Sequence, residues 1–119
     1  MDETQALVFF LSKAITKQKV DRYRAMIKSS HGRKKFLSGL SHKFENHINP
    51  NHIVSKLDVE IWAKPAYAYH SSSIFGEPWV SMEEAFSNIF HESILIITQD
   101  GQAGLFIPEF PTDPVYIVV

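Results

Sequence analysis

The hydrophobic period of this chain changes at Asn49-Pro50-Asn51, from the helical repeat of about 3.6 residues to the two-residue repeat of a strand, with one short helical return after Ser81. A chain with that switch folds as a helical segment followed by a sheet, which excludes an all-helical bundle and an alternating α/β fold. On the N-terminal side, residues 3–16 space Leu7, Val8, Leu11, Ala14 and Ile15 by three and four, the stripe of an amphipathic helix. Val20, Tyr23, Met26 and Ile27 repeat it over 19–29. Ser29-Ser30-His31-Gly32 then punctuates the chain, with Gly suited to a helix C′ position and Ser to the next N-cap. Phe36, Leu40, Phe44 and Ile48 stand four apart and predict a third helix over 33–48, which Asn49-Pro50-Asn51 ends.

Beyond the switch, Leu57-Asp58-Val59-Glu60-Ile61 alternates apolar and acidic residues, predicting a strand with one wet face. Pro65 interrupts it, Tyr67-Ala68-Tyr69-His70 continues as a short strand, and residues 71–78 read as a loop. Ser81-Met82-Glu83-Glu84 has the form of a capping box and opens a short helix with Met82, Ala85, Phe86, Ile89 and Phe90 inward. Ile94-Leu95-Ile96-Ile97 reads as a buried strand that returns over Ala103–Ile107, with Asp100-Gly101 central in a type I′ turn. Pro108, Pro111 and Pro114 stiffen the connection to a last strand over 115–119. The expected order is ααα-ββ-α-βββ. This is an α+β domain spanning 1–119, with three N-terminal helices, an antiparallel sheet of four to five strands and one short inserted helix.

Charge divides at nearly the same place as period. Residues 1–43 carry ten of the twelve Lys/Arg and three Asp/Glu, a net of +7; residues 44–119 carry two Lys and ten Asp/Glu, a net of −8. The overall charge of −1 therefore describes a dipolar molecule. The chain has no Cys, which removes disulfides, thiolate metal sites and a cysteine nucleophile from consideration. Its start, Met1-Asp2-Glu3-Thr4, is acidic, and its longest apolar run is six residues. Neither a signal peptide nor a membrane span has that form, so the expectation is a cytoplasmic protein that does not enter a membrane.

Two sets of residues stand out as binding candidates. Lys17, Lys19, Arg22, Arg24, Lys28, Arg33, Lys34 and Lys35 form a basic segment suited to phosphates, with Arg22, Arg24, Arg33, Lys34 and Lys35 as its anion-binding candidates. Arg33-Lys34-Lys35 would fall in the first turn of the third helix, where the macrodipole disfavours cations, and this predicts an anion nearby. Glu60, Trp62, Tyr67, Tyr69 and Trp79 combine interface-forming aromatics with acidic strands and suggest a protein-docking surface on the solvated face of the sheet. A solvated helix face and a filled sheet core are the simpler alternatives for the two sets.

Catalytic signals are sparse. His42, His47 and His52 are spaced by five and do not share a helix face, and neither HExxH nor a cysteine-histidine pattern occurs, so no metal or cofactor is expected. His70 beside Ser71-Ser72-Ser73 lacks the G-x-S-x-G context of a hydrolase. His70 or His91 with Glu60 could supply acid and base to a metal-free ribonuclease, with the cations reaching over from the helices. The favoured expectation is a non-enzymatic, protein-binding or inhibitor-type module acting through an acidic sheet surface. The alternatives are a nucleic-acid-associated protein using the basic helices and, third, the small hydrolase. Self-association of the dipolar chain is a further possibility.

Overall fold

A computed structural model describes residues 1–40, 42–70, 75–89, 93–108 and 113–119, without the side chains of 42 and 43. Four helices come first: α1 (Glu3–Ala14), α2 (Lys17–Ile27), α3 (Ser30–Ser38) and α4 (His42–His47). A 3-10 turn at Pro50–His52 leads to β1 (Ile53–Val54), the one-turn α5 (Val59–Trp62), β2 (Ala66–Tyr69) and β3 (Glu77–Trp79). The chain finishes with α6 (Met82–Asn88), β4 (Ile94–Thr98), β5 (Ala103–Ile107) and β6 (Val115–Val118). The six strands form one antiparallel sheet in the order β1-β6-β5-β4-β2-β3. The α+β class and the helices-then-sheet order stand as expected.

Alternate residues of each strand feed two different cores. Tyr69, Leu95, Ile97, Phe106 and Ile117 point into a core roofed by α1–α4, where Leu7, Phe10, Leu11, Ile27, Phe36 and Phe44 are fully buried. Ala66, Ala68, Ile94, Ile96 and Leu105 point the other way, against Leu57 and the α6 residues Met82 and Ala85, with Ile61, Trp62, Trp79 and Tyr116 packed around them. The sheet thus lies between two layers. The solvated acidic sheet face expected from the sequence is covered: α6, expected as a helix, and α5, expected as a strand, pack on it together.

The local differences have physical reasons. The 57–61 segment is α5 and its lead-in rather than a strand: an alternation only five residues long does not exclude a single helical turn, and Leu57, ahead of the extended N-cap Asp58, is buried while Val59 at the start of the turn is 82% exposed. Residues 77–79, read as loop, pair with β2 as an edge strand, where Pro78 is tolerated because its missing N–H faces no partner. The third helix is two, divided after Gly39, yet Phe36, Leu40, Phe44 and Ile48 are all buried. Gly32 is not a C′ residue but lies inside α3. A Cβ there would fall 1.9 Å from Met26 O, so its bare Cα permits the close crossing of α2 and α3. The β4–β5 hairpin forms as expected, with Ile94 opposite Ile107 and Ile97 opposite Gly104. Its turn is not type I′, since only Gly101, at φ +71°, takes a left-handed conformation, and Gly101 N–H donates to Thr98 O at 2.8 Å. Asp100 fastens the turn by accepting from Thr98 Oγ1 (2.6 Å), Gln102 N (3.0 Å) and Lys64 Nζ (2.8 Å).

Candidate functional site

The basic residues diverge once folded. Lys19, Arg22, Tyr23 and Met26 fall at i, i+3, i+4 and i+7 of α2, one face of the helix. That face meets Lys35, Phe36 and Gly39 of α3 and His47 at the end of α4, enclosing a cleft of about 550 Å³. His47 reaches it because α4 is tied to the α1–α2 junction. Thr16 N–H donates to His47 O (2.9 Å), Asn49 N–H donates to Ala14 O (2.7 Å), and Ile15 bridges Ile48. The cleft therefore depends on three helices and one strap, separated by up to 30 residues in sequence but fixed by backbone bonds.

At its centre Tyr23 Oη and His47 Nδ1 are 2.7 Å apart. The Tyr23 ring stands edge-on to Phe36 and Phe44, with centroids 5.8 and 5.6 Å away, so the hydroxyl is aimed from a packed base. Partial burial pushes the Tyr23 hydroxyl up from its ordinary range, against a smaller opposing pull from Arg22. Burial, then Lys19 and Arg22, hold the His47 imidazole below its ordinary 6.5. A neutral His47 sharing one proton with Tyr23 leaves an outward donor in either tautomer. If Tyr23 donates, His47 Nε2–H is free to donate outward; if Nδ1–H donates, the Tyr23 hydroxyl is. The cleft thus presents three cations and at least one neutral donor beside the half-buried Met26 and Tyr23, with the buried Phe36 as packing beneath them.

Of the predicted anion-binding residues, Arg22 and Lys35 are brought together here. Arg24 lines a separate groove of about 340 Å³ between α1 and α2, with Asp21 and Lys28, and Lys34 is exposed on α3. Arg33 turns inward. Its Nε donates to Ile27 O at 2.7 Å, its Nη2 lies 3.5 Å from Thr4 Oγ1, and its guanidinium stacks over Phe75 at 5.1 Å. The expectation of an anion near Arg33-Lys34-Lys35 does not hold: α3 begins at Ser30, so Lys34 and Lys35 lie beyond its first turn and Lys35 in its last, and Arg33 meets the carbonyl end of α2, where the helix dipole favours a cation. Lys19 belongs to the basic segment read from the sequence, whereas Tyr23 was read only as part of a helix stripe and His47 only as one of three histidines that share no helix face. The spacing 19-22-23-26 was visible along the chain, but nothing local pointed to His47.

The aromatic candidates are split by the sheet. Tyr69 is fully buried and donates to Glu3 O (2.5 Å), and Tyr67, beside the α1–α4 core, donates to Met1 O (2.8 Å). Trp62 lies on the opposite side between Phe86 and Tyr116, at centroid distances of 5.4 and 6.0 Å, with Trp79 packed against the same cluster. Alternation along β2 causes the separation, and it fills both cores rather than making one docking surface; Tyr69 has no exposed area to offer a partner. Glu60 is exposed on α5.

His70 pairs across β2 and β3 with Glu77 (Nε2 to Oε2, 3.4 Å) rather than with Glu60. Ser71–Ser73, Phe90 and His91 lie outside the described residues. His52 Nδ1 is spent on Val118 O at 3.0 Å. Among the described residues no group of three or more His, Asp or Glu could hold a metal ion, and no helix is long and apolar enough to cross a membrane. No protein-family model, curated protein or solved structure matches this chain.

Proposed function

We propose that this protein is a binding protein for phosphate-rich polyanions, of which nucleic acid is the prime class, and that it acts through the α2–α3–α4 cleft. One observation carries the reading: Lys19, Arg22 and Lys35, from two helices, converge around the Tyr23–His47 pair in a concavity. Like charges so gathered repel one another, and a bound anion relieves that repulsion while releasing counterions from its own backbone. Most of the acidic half is turned away from it: Asp58, Glu60, Glu83 and Glu84 are exposed around α5 and α6, across the sheet from the cleft, while Asp21 and Glu45 lie on its own helices.

Fluorescence anisotropy of the purified protein with a labelled oligonucleotide tests the reading. If three phosphates are neutralised, the log–log salt slope on a single strand should be about −2, and replacing Lys19, Arg22 and Lys35 together by Ala should flatten it. Binding unchanged in that triple variant would remove the cleft from the account.

A second reading keeps the protein-binding expectation but moves it from the sheet to the layer that covers it. Val59 is 82% exposed between Asp58 and Glu60, and Val80 is 75% exposed three residues before Glu83. Apolar side chains flanked by carboxylates suit a basic protein partner. Glu83 and Glu84 have a local role as well, since both lie in the first turn of α6, where anions favour the helix.

A further inference from the structure

Resting on the proposed polyanion binding, we infer that the cleft takes one nucleotide of a single strand, phosphate on the Lys19–Arg22–Lys35 rim and base against the Tyr23–His47–Met26 wall. Three features distinguish this from a general affinity for phosphate. The site is recessed, with about 550 Å³ of space, a size that suits a small molecule more than a line of backbone phosphates. A duplex keeps its bases stacked inside and can offer such a hollow only its convex backbone, whereas a single strand can turn a base out.

The lining is also mixed. Met26 and the Tyr23 ring, both half-buried, supply apolar surface next to the cations, which free phosphate or a polyphosphate would leave in contact with water. Bases favour this kind of surface, since every base has a π-face that packs on aromatic and imidazole rings. Finally, the Tyr23–His47 pair keeps one outward donor in either tautomer, which suits a hydrogen bond to an acceptor on a base edge or a bridging phosphate oxygen. An acidic peptide would use the cations but not the flat apolar wall. In this account His47 is a recognition residue and Tyr23 its positioning residue; no bond is made or broken.

The experiment compares three labelled probes of about ten nucleotides at low salt: a single strand, its duplex, and an abasic phosphodiester chain of equal length. The wild-type protein should bind the single strand about tenfold more tightly than either of the others. His47→Ala should lose most of that preference while leaving abasic-chain binding within about twofold, since the cations are untouched. Tyr23→Phe, which keeps the ring packing, should give an intermediate loss, and circular dichroism of each variant establishes that it is folded. Equal affinity for all three probes, with His47→Ala silent and the triple Lys19/Arg22/Lys35 variant defective, would overturn this inference and leave the polyanion reading standing. Failure of all three probes to bind would overturn both.

Discussion

Replacing Gly32 by Ala tests whether the α2–α3 crossing is as tight as described and whether the cleft depends on it. In an ordinary helix this change stabilises by up to about 1 kcal/mol, because Ala has less backbone freedom to lose. Here the new Cβ would stand 1.9 Å from Met26 O, more than an ångström inside the 3.0 Å that real Cβ atoms keep, and 2.7 Å from Met26 C. Both obstacles are backbone, so relief requires α2 and α3 to separate rather than a side chain to rotate. Overpacking of this kind costs about 1–3 kcal/mol and sometimes more, so a net loss of about 1–2 kcal/mol is expected. Urea denaturation should show this as a midpoint lowered by about 0.5–1 M at an unchanged slope. Gly39→Ala is the control, since its Cβ would meet nothing closer than Lys35 O at 3.1 Å, and it should move stability by no more than about 0.5 kcal/mol. The same Gly32→Ala protein should bind oligonucleotide several-fold more weakly, because the crossing sets the gap between Arg22 and Lys35. A Gly32→Ala protein as stable as wild type, or more so, would refute the reasoning.

Phe44→Ala should cost about 3–5 kcal/mol in the same denaturation assay, since the ring is buried against Tyr23, Phe36 and Phe106 at centroid distances of 5.6, 6.1 and 4.9 Å. Gly101→Val should cost about 2–4 kcal/mol, combining left-handed strain at φ +71° with a Cβ 2.8 Å from Phe9 Cδ1. Partial burial pushes the Asp100 carboxyl up, but bonds from Lys64, Thr98 and Gln102 outweigh it and hold the group below its ordinary 3.8. Its contribution is therefore present above pH 3.8 and lost as the pH falls below it. Asp100→Asn should remove that part of the acid limb, about 0.5–1 kcal/mol for so exposed a pair. His47 is faced by Lys19, Arg22 and Tyr23 from α2 and shares its cleft with Lys35 of α3; a bound phosphate offsets those cations and raises its affinity for a proton. Oligonucleotide affinity should accordingly rise as the pH is lowered from 7 through 6, and His47→Gln should abolish that rise.

The helical stripes and the 94–107 hairpin were legible because their signals are local: i, i+3, i+4 spacing on one side, and Asp-Gly between apolar runs on the other. The stripe Phe36–Ile48 identified a buried face correctly even though the helix divides beneath it, since burial follows spacing more closely than helix continuity does. What sequence reasoning missed is tertiary. Five alternating residues could not distinguish strand from a single helical turn at 57–61, and although the inward stripe of α6 was legible, which sheet face it covers together with α5 is a tertiary matter. The capping box of α1, in which Asp2 and Gln5 exchange bonds of 2.8 and 3.0 Å, was readable but unread. The basic segment announced anion affinity but not which cations would converge. Arg33 is diverted by a carbonyl six residues before it, and His47 joins Tyr23 across 24 residues through strap bonds that leave no local mark.

The central claim is that the α2–α3–α4 cleft, and not the acidic layer, receives the ligand. A nuclear magnetic resonance titration with a short unlabelled single strand, following backbone amides and the His47 ring, reads both faces in one experiment. The account predicts shifts confined to Lys19, Arg22, Tyr23, Met26, Lys35, Gly39 and His47, with the His47 ring moving toward its protonated form. Shifts centred on Glu60, Val80 and Glu83, or a spectrum indifferent to the strand, would contradict it.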